Sequence, residues 1–387
     1  LEPRMRAGLP REPIALALTP DGERVVVGQH LPDASAEGEY AAAAVHVLDA
    51  WTADVVISIY LPNGSTSLMD VCVSPDGRYA FATHILARYF VPTTQIERGW
   101  INTNALSIID LKELRHLATV LLDDVGRGAA NPWGVTCTPD GAEVLVTHAG
   151  THELSRIDWP GLRKALGGLD TEAIEALTYD LTFLAPYRKR VPLAGLGPRG
   201  LTVAGDRAWV AEYFTGSLGS VPLSDEDDAA VESIPLTDAP VPMSVERRGE
   251  LLFHDARICL QHWQSCTSCH PDARVDALNW DLLNDGFGNA KNTRSMLLAH
   301  RTPPAMSIGI RADGKTAVRA GIKHILFAVR PEEEALAIDA YLQSLTPVRS
   351  PRSLRPENQA AIARGAKVFE KAECHTCHSG PHHTNLK

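Results

Sequence analysis

Apolar residues come in short alternating runs over the first 240 positions and take up helical spacing after that. One phrase recurs: an apolar run, a Pro-Asp-Gly turn and a second apolar run, at 15–27, 71–83 and 135–147. A weaker fourth copy lies at 201–211. Each copy predicts a β-hairpin. Further strand-like segments follow at 45–49 and 105–110, and strand, turn, strand, loop, strand at a steady period is typical of a β-propeller blade.

The spacing of the copies is wider than one blade needs. Thr19, Ser74, Thr138 and Ala204 mark intervals of 55, 64 and 66 residues, against about 40 to 45 for common propeller repeats. We therefore expect insertions, a helical one at 161–177 and another at 88–103. Because four repeats are few for a closed propeller, either some blades are unrecognisable or the chain lacks some.

Helical spacing after Pro242 predicts helices at 246–253, 316–329, 331–345 and 358–370. The predicted fold class is multidomain: an all-β propeller followed by all-α, class I-like cytochrome c domains. The predicted boundaries are 1–242 for the propeller, 243–346 for the first cytochrome domain, 347–356 for a linker and 357–387 for the incomplete start of a second.

Two CxxCH motifs carry the sharpest chemistry. They are Cys266, Cys269 and His270, and then Cys374, Cys377 and His378. In such a motif two thiols bind the vinyl groups of a haem and the histidine binds its iron, so we expect two covalently attached haem c groups. A zinc site or a redox dithiol is the alternative.

The three other cysteines are Cys72, Cys137 and Cys259. The first two lie in strand-like runs and are predicted to be buried thiols rather than a disulfide or ligands. The role of Cys259 stays open.

Two resemblances follow from these motifs. Residues 14–240 resemble the YVTN-type β-propeller repeats. The region around both CxxCH motifs, with Arg248-Gly-Glu-Leu-Leu-Phe-His before the first and Lys291-Asn-Thr-Arg after it, resembles the bacterial di-haem cytochrome c peroxidase and MauG family. This second resemblance implies an electron-accepting haem, a peroxide-binding haem and a calcium ion between them. It makes Asn292 a calcium ligand, although an Asn at a turn also serves as a local cap.

The chain departs from that family in several places. The loop 282–290 contains no His to serve as a distal ligand, which fits an open iron. The inter-haem Trp motif is absent, so Trp280 is either its substitute or a core residue. His300 and Met306 are the candidate sixth ligands of the first haem, with His262 and His324 behind them. For the second haem, either His382 or His383 bends back or the chain continues past Lys387, which we expect.

A second constellation lies in the propeller. His30, His84 and His148 follow equivalent turns, Tyr213 takes the same place in the fourth repeat, and His152 is close by. Equivalent positions on successive blades face a common axis, so these histidines either bind copper or zinc or cap strand ends by hydrogen bonding.

Composition narrows the class of protein. The net charge is -10, and Lys and Arg are scattered, which excludes a nucleic-acid footprint. No apolar run approaches the ~20 residues of a membrane span. Because CxxCH haem attachment happens outside the cytoplasm, we expect a periplasmic or otherwise extracytoplasmic protein whose N-terminus is processed or incomplete.

The leading functional hypothesis is a di-haem electron-transfer protein with peroxidase-like oxidoreductase activity at the first haem. Its expected partner is a small redox protein, a c-type cytochrome or a cupredoxin, or other subunits of a redox complex. One alternative is a non-catalytic electron-transfer or scaffold subunit of a larger extracytoplasmic complex. Another places the chemistry at a propeller metal, wired by the haems.

Overall fold

The structure, a computed structural model, describes residues 5–91, 99–224, 230–239, 242–283 and 286–386. Part of the insertion expected at 88–103, namely 92–98, lies outside the described residues. Among the helices that the structure describes, none is long and apolar enough to cross a lipid bilayer.

Four antiparallel sheets of four strands each follow one another along the chain. The first contains β1 (Pro13–Leu18), β2 (Arg24–Gln29), β3 (Ala44–Asp49) and β4 (Val55–Tyr60); the second β5 (Ser65–Val73), β6 (Tyr79–Ala87), β7 (Asn102–Asp110) and β8 (Arg115–Leu121). The third contains β9 (Pro132–Cys137), β10 (Glu143–His148), β11 (Glu153–Asp158) and β12 (Arg188–Pro192); the fourth β13 (Pro198–Ala204), β14 (Arg207–Glu212), β15 (Ser217–Pro222) and β16 (Glu232–Pro235).

The recurring turn sequence explains the first hairpin of each of the first three sheets. The hydroxyl of Thr138 donates to Asp140 Oδ1 over 2.6 Å, and Asp140 Oδ1 accepts from Ala142 N over 3.0 Å. Gly141 follows with a φ of 71°, a left-handed conformation that glycine adopts without a steric penalty. The same arrangement recurs at Thr19 and Ser74, so the predicted hairpins are confirmed.

The sheets are arranged as successive blades. The first strands of the four sheets, β1, β5, β9 and β13, contact one another in that order. Asp70 Oδ2 accepts from Val135 N over 3.0 Å, and Thr147 Oγ1 donates to the carbonyl of Arg199 over 2.7 Å. These bonds join the second sheet to the third and the third to the fourth. The β-propeller part of the prediction is therefore confirmed.

Two helices overlap the insertion expected at 161–177, and the first begins two residues before it. They are α1 (Trp159–Leu166) and α2 (Thr171–Ala176). Asp158 caps α1 by accepting from Gly161 N, and Trp159, Leu162 and Leu166 are buried. These side chains extend the core between the second and third sheets, where Trp159 meets Phe81 edge to face at 4.8 Å.

The expectation of all-α cytochrome c domains after residue 242 is wrong, because the chain is mostly antiparallel sheet and its last third is a short helical pack joined by irregular turns. The helices are α3 (Val245–His254), α4 (Cys266–Cys269), α5 (Gly314–His324), α6 (Glu332–Ser344) and α7 (Gln359–Lys371). Both α3 and α5 pack against α6, and α4 contacts α3. Between α4 and α5 the chain runs through a two-stranded ribbon, β17 (Asn279–Trp280) with β18 (Lys291–Asn292), and left-handed residues such as Ala277, Leu298 and Met306. Such backbone cannot continue a helix.

Candidate functional site

Side chains from the propeller hold the first CxxCH segment. Asn131, after the second sheet, donates through Nδ2 to Ser265 Oγ over 2.8 Å and accepts at Oδ1 from Ser268 Oγ over 2.7 Å. Ser265 and Ser268 also cap α4 reciprocally. Asn102 donates to Gln264 Oε1 over 2.9 Å and lies 3.4 Å from Cys269 Sγ. Sequence reasoning missed both asparagines, because only the fold brings them within reach of residues more than 130 positions later.

A cavity of about 420 Å³ opens beside this segment. Cys266, Cys269 and His270 line one side, and apolar side chains of α5 and α6, including Ile322 and Ile338, line the other. Cofactor sites in proteins have volumes of about 300 to 1,000 Å³ and mostly apolar walls. The cavity is thus of a size and character for a planar, largely apolar group beside the three motif residues.

Burial sets the protonation of the motif residues. Desolvation lowers the pKa of His270 to about 4, although hydrogen bonds to the backbone of Arg274 and Arg294 oppose the shift. The Nδ1 atom of His270 lies 3.3 Å from the Arg274 carbonyl, and an Nδ1–H that donates there leaves a lone pair on Nε2. Desolvation also raises the pKa of Cys266 to about 12 and raises the pKa of Cys269. At neutral pH the site therefore offers a neutral imidazole and two protonated thiols.

Trp280 lines the cavity and also belongs to a buried cluster of apolar side chains. Its Nε1–H donates to Asp276 Oδ2 over 2.7 Å. Asp276 is fully buried, and desolvation raises the pKa of its carboxyl to about 6. From the second sheet, Thr66 Oγ1 donates to the carbonyl of Asp276 over 2.8 Å. Sequence reasoning missed Asp276, since nothing in its local sequence signals burial.

Of the four predicted sixth ligands of the first haem, three line the cavity and His262 does not. His300 Nε2 lies 2.8 Å from Asp339 Oδ1 on α6, and a Cβ at Gly314 would lie 3.0 Å from His300 Nδ1. Met306 and His324 line the cavity. The backbone of His262 packs instead against Gly128 of the propeller. His300 also lines the cavity, so His300, Met306 and His324 all stay candidates.

Asn292, predicted as a calcium ligand, is exposed, and its backbone pairs with Asn279 in the β17–β18 ribbon. Within the described ranges no group of three or more His, Cys, Asp or Glu side chains could hold a metal ion. No acidic cluster thus supports Asn292, and calcium there stays a prediction.

The second CxxCH motif has different surroundings. It follows α7, on which no residue is buried, and Cys377 is exposed. His378 Nδ1 lies 3.1 Å from the His383 carbonyl, and the His383 ring meets Phe369 at 5.8 Å. The two motifs are therefore unequal: the first lines a cavity, and the second lies on an exposed turn.

Each of the propeller histidines hydrogen-bonds to a nearby strand or loop. His84 Nε2 pairs with Ser107 Oγ over 2.8 Å and His148 Nε2 with Ser155 Oγ over 2.7 Å, in each case on the next strand of the same sheet. His30 Nδ1 lies 2.9 Å from the Leu68 carbonyl. His152 accepts at Nδ1 from Gly197 N over 2.9 Å and lies 3.4 Å from Asp255. These are the contacts of strand-capping side chains, and the structure does not gather them into one metal site.

Two curated proteins, both subunits of hydrazine synthase, are similar to part of this chain. The chain is 31% identical over 160 residues to hydrazine synthase subunit beta and 28% identical over 205 residues to hydrazine synthase subunit gamma, both from Kuenenia stuttgartiensis. These alignments cover 40% and 49% of this chain, and 40% and 58% of the two relatives. The chain thus spans well under two thirds of either relative.

Structural comparison adds a solved structure of Kuenenia stuttgartiensis hydrazine synthase, with a TM-score of 0.49 and 26% identity over 55% of this chain and 58% of that one. No protein-family model matches the chain.

These findings overturn the resemblance to the di-haem cytochrome c peroxidase and MauG family. The curated proteins that match are hydrazine synthase subunits, so the expected classification as a peroxidase-type cytochrome c is wrong. The resemblance rested on CxxCH and on helical spacing around it, and both features are short and local. Neither relative's name mentions haem, so a haem here rests on the chain's own residues.

Proposed function

We propose that this chain is a non-catalytic subunit of a larger extracytoplasmic redox complex, in which the propeller is the scaffold and the first CxxCH cavity holds an electron-transfer haem. Its curated relatives are two subunits of one enzyme, hydrazine synthase, and it aligns with both. The observation that carries the proposal is the cavity of about 420 Å³ lined by Cys266, Cys269 and His270.

The residues present fit a covalently bound haem. Cys266 and Cys269 would hold it through thioether bonds, and His270, neutral at pH 7 because burial lowers its pKa to about 4, would bind its iron. A haem so bound supplies a one-electron redox centre. The apolar walls from α5 and α6 would exclude water, and Asn102 and Asn131 would hold the attachment segment in place.

The second motif also supports a haem, but at an exposed position and not in a cavity. Cys374, Cys377 and His378 offer the same attachment chemistry on an exposed turn. An exposed site suits exchange of electrons with a partner, because the rate falls steeply with the thickness of protein between two centres. We therefore propose the second site as the entry or exit point for electrons, facing a small redox protein or another subunit.

The propeller offers surface for subunit contacts. On β1, at one end of the row of sheets, Leu16 is 72% exposed and Leu18 is 56% exposed. At the other end, Ile234 on β16 and Leu236 just after it are also exposed. Apolar side chains clustered at an accessible sheet face are typical of protein–protein contact sites. This supports assembly with other subunits over a free-standing electron carrier.

The haem assignment is tested by producing the full chain with a periplasmic haem-attachment system and measuring its intact mass. We expect the mass of the polypeptide plus two haems. The double variant Cys266→Ser, Cys269→Ser should lose one haem, and Cys374→Ser, Cys377→Ser should lose the other. Cys259→Ser, outside both motifs, should keep both. A wild-type mass without any haem increment contradicts the proposal.

The electron-transfer role is tested by stopped-flow mixing of the haem-loaded chain with a reduced small c-type cytochrome. We expect haem reduction at both sites in the wild type. Removing the exposed site with Cys374→Ser, Cys377→Ser should slow reduction of the remaining haem at least tenfold. Unchanged reduction in that variant would show that electrons do not enter at the second motif.

A further inference from the structure

Two cysteines from neighbouring blades meet inside the propeller. Cys72 lies on β5 and Cys137 ends β9, and their Sγ atoms are 3.8 Å apart. They are separated by 65 residues in sequence. Both are free thiols and partly buried in this structure. Neither belongs to a CxxCH motif, and the proposed function does not use them.

The backbones that carry the two sulfurs are held together independently of them. Asp70, two residues before Cys72, accepts at Oδ2 from the backbone N of Val135, two residues before Cys137, over 3.0 Å. The hydroxyl of Thr83 on β6 donates to the carbonyl of Trp133 on β9. Both thiols also pack against the core between the two sheets. The sulfur pair is therefore placed by the architecture and not by a mobile loop.

From this geometry we infer that Cys72 and Cys137 form a disulfide that covalently joins the second and third blades. The sulfurs must approach from 3.8 Å to the roughly 2 Å of an S–S bond, and rotation about the Cα–Cβ bonds is the movement that would bring them together. Each thiol loses its proton and the pair loses two electrons. A disulfide-class oxidant takes up both electrons and is itself reduced to two thiols, through a mixed disulfide.

The chemistry of the pair favours a structural cross-link over a reactive thiol. The Cys137 thiol and burial raise the pKa of Cys72 well above its usual value, so little thiolate is present at neutral pH. Thiolate content sets the rate of attack on a disulfide. The bond should therefore form slowly, and it should also resist reduction once formed because the same burial shields it.

The test compares the full chain under two conditions, equilibrated with oxidised glutathione or with a phosphine reductant. Free thiols are then alkylated and the protein is digested and mapped by mass spectrometry. We expect a Cys72–Cys137 linked peptide as the main product of oxidation, and a melting temperature about 5 °C above that of the reduced protein, because the closed loop restricts the unfolded chain.

Variants identify the bond. Cys72→Ser and Cys137→Ser should each abolish the oxidation-dependent shift in melting temperature, whereas Cys259→Ser should keep it. Alkylation of both Cys72 and Cys137 after oxidation would overturn the inference, and so would mixed glutathione adducts at either residue. Mapping of the wild type decides the question even if a serine variant fails to fold.

Discussion

Asn131 is the residue at which the propeller and the CxxCH segment meet. Its φ is 57°, its backbone N–H donates to Asn104 Oδ1 over 3.0 Å, and its amide bonds Ser265 and Ser268. It is 5% exposed, so water cannot replace a lost partner without a cavity forming. One buried amide thus holds the residue that precedes Cys266 and one that lies between the two cysteines.

Replacing Asn131 with Ala should lower the free energy of unfolding by about 2 to 4 kcal/mol, because two buried hydroxyls lose their partner. Haem content should fall in the same variant, since the attachment segment loses two of the hydrogen bonds that hold it to the propeller. Chemical denaturation and intact mass measure the two effects. Lys367→Ala, at an exposed position on α7, should change stability by less than about 0.5 kcal/mol; equal losses in both variants would contradict this role.

Asp276 makes a second prediction, in the pH dependence of stability. Burial raises the pKa of its carboxyl to about 6, so its contribution to stability is full below about pH 4 and is lost as pH rises through 6. Asp276→Asn should therefore gain stability relative to the wild type on going from pH 4 to pH 7, by up to about 3 kcal/mol. Melting curves of both proteins across this range measure the difference. A difference that does not vary with pH would show that Asp276 is not buried as a carboxyl.

At the scale of elements, the last third of the chain depends on the contact between α3 and α6. Gly249 on α3 lies so close to α6 that a Cβ there would stand 1.9 Å from the Ala337 carbonyl and 2.8 Å from Tyr341 Cβ. The absence of a side chain lets the two backbones approach. This packing carries the apolar cluster of Leu252, Phe253 and Ile338, which backs the cavity.

Gly249→Ala should therefore destabilise the protein by about 2 to 4 kcal/mol, since a backbone atom must move to admit the methyl group. Thermal or denaturant unfolding measures the loss. The matched control is Gly365→Ala on α7, where a Cβ would meet nothing within 4 Å; it should be neutral or stabilise by up to about 1 kcal/mol. A neutral Gly249→Ala would show that α3 and α6 can separate freely.

At the scale of the whole molecule, three buried or partly buried histidines of the second and third sheets make the stability of the propeller depend on pH. Burial lowers the pKa of His84 and of His116 to about 4 and lowers the pKa of His148 well below its usual value. The unfolded chain takes up these protons near pH 6.5, so this part of the stability is complete above pH 6.5 and is lost as pH falls toward 4. The pH dependence of stability that comes from these histidines is therefore opposite in sign to the one that comes from Asp276.

We accordingly expect the melting temperature to fall between pH 7 and pH 4.5. Among the described residues, the histidines with a lowered pKa, which also include His254 and His270, outnumber the three carboxyls with a raised pKa. Scanning calorimetry at several pH values measures the trend. His84→Gln should make it shallower, whereas the exposed His375→Gln should leave it unchanged. A melting temperature that rises on acidification would contradict the assignment of these rings as buried and neutral.

Elements whose cause is local could be predicted, and those that depend on packing could not. The hairpins follow from Pro-Asp-Gly and the neighbouring Thr or Ser, and the helix predicted at 331–345 differs from the observed Glu332–Ser344 by one residue at each end. The helix expected at 316–329 instead ends at His324. The chain turns there, and the carbonyl of Leu326 accepts a hydrogen bond from the backbone N–H of Leu260. The all-α expectation failed between α4 and α5. The CxxCH motif and the helices around it carry no information about the conformation of the segment that connects them.

The sequence by itself determined the repeating blades and the two sets of thiols and imidazoles, since turn chemistry and motif spacing involve residues within a few positions of one another. Only the tertiary structure decided which of these sets is enclosed. Asn131 reaches Ser265, Thr66 reaches Asp276 and Cys72 meets Cys137 across separations of 65 to 210 residues. Such contacts exist only once the sheets have stacked, because stacking buries apolar surface without regard to distance along the chain.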